Sequence, residues 1–261
     1  TAVQAPPPEF VDPLNQTGRK ALVIAVWVTA VLGAIAVVVA AWIVASGPGA
    51  TIAVFYSIIP LPVILFVYWW IDRVEPEPLR YKIAAFVWGA VIAVLLALLF
   101  EGLFALTGVS ENVQIAVGAP VIEEATKGLF LVVIMMRARK VIHGILDGII
   151  YAGLVATGFA AVENIVYYAA SYLGFDEAVP ISGLEAATVT FVVRGLFSPF
   201  AHPLFTTSIG IAIGLAVLQK SRGKRWLLIF AGYLGSVALH AIWNGSVVMT
   251  GALGFLFAYL L

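Results

Sequence analysis

Apolar runs of twenty or more residues recur along this chain, at about 21–46, 51–71, 83–106, 113–136, 145–172, 184–218 and 226–249. A helix needs about 20 apolar residues to cross the hydrocarbon core of a bilayer. Seven such runs leave one class of fold, an all-α polytopic bundle solvated mainly by lipid. Composition agrees: 62% of the 261 residues are hydrophobic and 11% charged, against about 25% charged in a soluble domain. Lipid offers no partner for backbone groups, and the strict alternation of a barrel strand is absent, so helices are the expected form. The first run is longer than the apolar segment of a signal peptide and reads as a spanning helix. Residues 1–20, with Pro6, Pro7, Pro8 and Pro13, read as a flexible segment on the cytosolic side. Residues 21–261 form one transmembrane domain, in which Gly251 to Leu261 are apolar but too short to span.

Net charge is zero, which gives no reason to expect a nucleic-acid partner. The absence of cysteine removes disulfides, thiol catalysis and Cys-based metal sites. Twelve of the fourteen basic residues lie before the first run or after the second, fourth and sixth. Seven crossings put all twelve on one side. Glu111, Asp176 and Glu177 lie on the other, with Glu185 at a helix mouth. The positive-inside rule makes the basic side cytosolic, with the N-terminus inside. The same rule requires 184–218 to be one crossing, broken or kinked near Pro199 and Pro203, because two would carry Lys220–Arg225 outside. In the fifth run, Ala152, Ala156 and Ala160 recur every four residues, with Gly148, Gly153 and Gly158 beside them. Small residues permit close helix approach, so this helix is placed at the centre of the bundle.

The two remaining basic residues, Lys127 and Arg194, fall inside runs, as do Glu123, Glu124, Glu163, His202, His240, Asn164 and Asn244. A charge at mid-bilayer costs at least about 2.5–3.5 kcal/mol, and intramembrane ionisable groups are functional candidates by default. Lys127 lies three and four residues beyond Glu124 and Glu123, within reach of either along a helix. One glutamate paired with Lys127 stays ionised, leaving the other to exchange protons as a general acid or base; the bland alternative is a structural ion pair. Glu163 and Asn164 lie in the outer half of the fifth run, with Tyr167 one turn on. Asp147 sits at its cytosolic end, where a pairing with the Arg137–Lys140 loop is the plain reading. Arg194, Ser198, His202 and Thr206 form a stripe at four-residue spacing, and Arg194 is expected to pair with Glu185 or Glu163. His240 and Asn244 share a face of the seventh run, where Asn244 could orient a water or donate to an oxyanion. His143 reads as solvent-facing. Two histidines and a glutamate (Glu163, His202, His240) with a further Glu as base match many catalytic zinc sites. A metal-free arrangement is equally buildable, with a Glu activating water and His and Asn stabilising the oxyanion. Lys127, Asn164 and Arg194 are then supporting residues. Such groups also serve as proton relays, so a proton- or ion-coupled transporter is the alternative class, although no inverted repeat is seen.

Glu123-Glu124-Ala-Thr-Lys127 resembles the EExxK motif of PrsW-type intramembrane proteases. The stretch from Asp147-Gly148 through Gly158-Phe159-Ala160 to Glu163-Asn164 and Tyr167 is similar to that family too. So are His202 with Thr206, and the run His240-Ala-Ile-Trp-Asn244. The segment Asp72-Arg-Val-Glu75-Pro76-Glu77-Pro78 looks like the family's EPEP loop. The resemblance spans roughly 50–248 and extends to type II CAAX prenyl endopeptidases. It implies peptide-bond hydrolysis in the membrane by a core within 113–249, acting on a single-pass membrane protein such as an anti-sigma factor. Where the prenyl endopeptidases show FxxxH, this chain has Phe159 followed by Glu163, so the metal and metal-free versions both stay open.

Overall fold

A computed structural model describes residues 16–45, 47–138, 141–175, 179 and 181–250. The expected features of residues 1–15 and 251–261 therefore lie outside the described residues. Helix is the sole regular structure among those described. Each apolar run forms a helix: α1 (Gln16–Ala45), α2 (Pro48–Asp72), α3 (Leu79–Ala105), α4 (111–137), α5 (Ile145–Leu173), α6 (Gly183–Val217) and α7 (Arg222–Thr250). α2, α3, α5, α6 and α7 are each long and apolar enough to cross a membrane. The chain is thus a multi-pass membrane protein. Its outer face is apolar, with Trp69, Leu98, Phe197 and Leu227 among the exposed side chains, as a lipid solvent requires.

Several helices depart from regular winding where the sequence gives cause. α2 breaks between Ile58 and Leu61, at Pro60. Wider π turns interrupt α3 at Trp88–Ala93, α4 at Gln114–Gly118 and α6 at Val192–Phe197. Such turns often mark functional positions. The long sixth segment is broken after Phe197 and resumes at Ala201. The break brackets Pro199, whose missing N–H and ring prevent a regular continuation. Ser198 lends its hydroxyl to the Val193 carbonyl, 2.7 Å away, satisfying one of the acceptors released there.

α5 is the centre of the bundle. In its most apolar stretch 78% of residues are buried, against 17% in α7. The small residues explain how its neighbours come so close. A Cβ on Gly148 would run into the backbone of Gly210 on α6, and one on Gly158 into the backbone of Phe86 on α3. Lipid tails are as apolar as leucine, so close packing and polar contacts hold such helices together. Gly148→Val is therefore expected to lower the thermal unfolding temperature in detergent, since overpacking costs about 1–3 kcal/mol. Gly102→Val is the matched control, because a Cβ there meets nothing within 4 Å; equal losses in the two variants would contradict this account of the α5–α6 contact.

Candidate active site

One turn of α4 carries Glu123, Glu124 and Lys127, all buried, with Glu124 and Lys127 at 0% exposure. Spacings of three and four residues place the lysine over both carboxylates. Its Nζ donates to Glu123 Oε2 at 2.9 Å, to Glu124 Oε1 at 2.9 Å, and to His202 Nδ1 on α6 at 3.1 Å. The ammonium also lies 4.0 Å from the centroid of the Phe159 ring on α5.

These contacts define the histidine tautomers. An ammonium only donates, so Nδ1 of His202 accepts and its proton resides on Nε2. Nε2 then donates to Glu163 on α5, 2.8 Å away. His240 on α7 has Nδ1 3.1 Å from Glu124 Oε1. A carboxylate surrounded by donors accepts, so His240 carries a proton on Nδ1. The two imidazoles meet edge to face with centroids 5.0 Å apart, and Phe205 stacks on His240 at 4.9 Å.

The adjacent glutamates differ sharply in their surroundings. Glu124 takes Lys127 and His240 on Oε1, and Thr206 (2.8 Å) and Ser236 (2.7 Å) on Oε2. Four donors surround it, the Ser236 hydroxyl sharing its one proton with the Phe205 carbonyl 2.7 Å away. Among the described residues Glu123 takes the lysine alone at hydrogen-bond distance, with His202 Nδ1 3.9 Å from Oε2. Thr206 was legible as part of a polar stripe. Ser236 was not, because one serine in an apolar run carries no signal of what it faces.

Glu163 sits between His202 and Arg194, whose Nη2 is 2.6 Å from its Oε2. Nε of Arg194 donates to Asn164 Oδ1 at 2.8 Å, and its guanidinium stacks 3.7 Å from the Tyr167 centroid. Of the two partners expected for Arg194, it is Glu163 that the fold supplies. Asn244 is placed elsewhere: its amide donates to the Ile115 carbonyl in the π turn of α4, at 3.1 Å. Asp147 accepts from the His143 backbone N–H at 2.6 Å; Arg139 and Lys140, in the loop expected to pair with it, are outside the described residues. Glu101 on α3 was passed over in the sequence, although a lone acid in an apolar run is itself a signal. Its Oε1 is buried with no hydrogen-bond partner among the described residues.

Helices α4, α5, α6 and α7 thus enclose a continuous network of carboxylates, imidazoles and cations within a membrane-spanning bundle, which is the architecture of an intramembrane hydrolase. Comparison with known proteins gives the family: residues 77–261 match the model of the PrsW family intramembrane metalloprotease, and the chain belongs to that family. It is 30% identical over 195 residues to Protease PrsW of Clostridioides difficile strain 630, covering 72% of this chain and 76% of that one. It is 27% identical over 175 residues to Protease PrsW of Geobacillus kaustophilus strain HTA426, covering 66% and 69% respectively. No solved structure matches the chain.

The family description raises the question of a metal. Glu123, Glu124, His202 and His240 each offer a ligand atom, all within 4.8 Å of one another. Imidazole nitrogen and carboxylate oxygen are donors that zinc favours, so the set fits such an ion by its chemistry, but binding would require Glu124 and His202 to exchange the hydrogen bonds that now engage them. Glu163 is held by Arg194 and His202 rather than standing in that group. Lys127 lies against three of the four residues and already supplies positive charge there. Replacing one partner of a buried ion pair costs about 3–5 kcal/mol. Lys127→Met should therefore destabilise the fold by that order, read as chemical or thermal unfolding in detergent, and Glu124→Gln in the same chain should recover part of the loss. Wild-type stability of Lys127→Met would remove the lysine from its central role.

Proposed function

We propose that this protease cleaves a peptide bond in or beside the transmembrane segment of a single-pass membrane protein, with Glu123 as the general base. The observation that carries the assignment is the inequality of the two glutamates: Glu124 accepts from four donors, whereas Glu123 accepts from Lys127 alone. A base needs a free lone pair directed at the water it deprotonates. Glu124 then acts as the fixed anion that orients His240 and balances Lys127. Orienting His240 through Nδ1 leaves Nε2 to hold a ligand or, once it has received the proton that Glu123 takes from water, to pass that proton to the leaving amine. His202, braced between Lys127 and Glu163, fixes α6 against α4 and α5. Lys127 offsets negative charge developing on the attacked carbonyl oxygen. Asn244 braces α7 against the start of α4 through Ile115, a positioning role.

Glu123, Glu124, His202 and His240 are the residues that would hold a zinc ion; when bound, it would polarise the scissile carbonyl and acidify a water. As a ligand Glu123 would give up the lone pair that the base role needs, so the division of labour between the glutamates is that of the site without the ion. The substrate class we favour is a membrane-anchored helix of the anti-sigma-factor kind, entering sideways and unwinding locally.

Purified enzyme with a single-pass substrate tests this reading. Glu123→Gln should lower kcat by about 10²–10⁴-fold, the range for a lost general base, with a smaller loss of thermal stability than Glu124→Gln, because Lys127 keeps its contact with Glu124. Glu124→Gln should lower both activity and stability, because it disturbs four hydrogen bonds. Equal unfolding temperatures for the two variants, with activity lost only in Glu124→Gln, would reverse the assignment. Full activity in the double variant would end the mechanism.

A further inference from the structure

A second group of metal-type ligands lies at the other end of α5, sixteen residues before Glu163, or about 24 Å along the helix. Glu77 comes from the α2–α3 loop, His143 from the α4–α5 loop and Asp147 from the first turn of α5. Each offers a ligand atom, all within 4.8 Å of one another. Glu77 and Asp147 are buried, at 6% and 1% exposure, while the His143 side chain is 52% exposed. Catalysis as proposed uses none of the three.

The surroundings favour an ion over a mere cluster of acids. Carboxylate oxygens of Glu77 and Asp147 lie within 4.8 Å of each other. Among the described residues neither is ion-paired to lysine or arginine: the neighbouring Lys82 is committed to Asp72. Two buried carboxylates this close need a positive charge between them, a proton or a cation. A shared proton could supply it, but would require no third ligand. The imidazole of His143 supplies one, with Nδ1 3.5 Å from Asp147 Oδ2. A buried outer partner is also in place: the Tyr151 hydroxyl, one turn beyond Asp147, donates to Glu77 Oε2 at 2.7 Å. Ligating carboxylates are commonly oriented by such hydrogen bonds. The Glu77 N–H is in turn fixed by Asp72 Oδ1 at 2.9 Å. We propose that Glu77, His143 and Asp147 bind a divalent transition-metal ion of the zinc or manganese type, which clasps the α2–α3 loop to the start of α5. Two carboxylates and one imidazole suit such an ion better than magnesium, which prefers an all-oxygen shell. The half-exposed histidine leaves an open position toward solvent. This proposal is independent of the catalytic assignment.

The cysteine-free sequence permits a direct test on the full chain in detergent. In His143→Cys, Co²⁺ added after chelator treatment should produce a thiolate-to-cobalt charge-transfer band, with about one ion bound per band-forming site. Glu77→Gln in the same chain should abolish that band, and Tyr151→Phe should weaken cobalt affinity by about 10–100-fold, as for other outer partners of metal ligands. A second measurement uses the native ligands. With His202 and His240 replaced by Ala to remove the other candidate set, the protein should retain one zinc or manganese ion after gel filtration and lose it on His143→Ala. If this background fails to fold, the cobalt measurement stands alone. No cobalt band, or a band indifferent to Glu77→Gln, overturns the proposal and leaves a proton shared by Glu77 and Asp147.

Discussion

A single ammonium group holds the interior of this protein together electrostatically. Lys127 Nζ contacts Glu123, Glu124 and His202 in a region from which water is largely excluded. Two adjacent glutamates at this depth would repel each other and pay the full cost of desolvation. The lysine offsets both, and each of its partners extends the network. Through Glu124 it reaches Thr206, Ser236 and His240; through His202 it reaches Glu163, Arg194 and Asn164. Four helices are tied by these contacts. In a solvent of lipid tails, where apolar surfaces have little reason to prefer one another, such contacts help define which helix faces which.

The network also separates two residues that are chemically identical and adjacent. Glu123 and Glu124 point to different parts of the bundle because successive residues on a helix are about 100° apart. One direction meets two hydroxyls, an imidazole and an ammonium. The other meets the ammonium, with an imidazole beyond hydrogen-bond range. On the proposed assignment, one dipeptide thereby supplies both an anchored anion and a general base. This inequality gives the family's hydrolytic function a chemical basis in the present chain.

α5 connects the two polar regions of the molecule. Its first turns carry Asp147 and Tyr151, and its outer half carries Glu163 and Asn164. Between them lie the small residues that admit α3 and α6 to backbone contact. Close packing along that middle stretch makes the helix a rigid spacer. A clasp at one end would restrain the loop leading into α3, the helix that carries Glu101.

Much of this architecture was legible in the residues alone, because it depends on local properties. Hydropathy marks the seven helices, since a bilayer imposes one length on every crossing. The Ala and Gly spacing in α5 identifies the central helix, and the Glu123, Glu124 and Lys127 contacts follow from the repeat of a single helical turn. The break in α6 follows from Pro199. Other features depend on how far each helix is rotated and how deep it sits, which no local pattern encodes. The saturation of Glu124 by Ser236, the capture of Glu163 by Arg194 and the turning of Asn244 toward Ile115 are of this kind. So is the meeting of Glu77 with Asp147, seventy residues apart in the chain. Sequence determined that ionisable groups had to be gathered inside the membrane, because exposing them to lipid is too costly. Only the tertiary structure decided which groups met, because partner choice across helices is a consequence of packing.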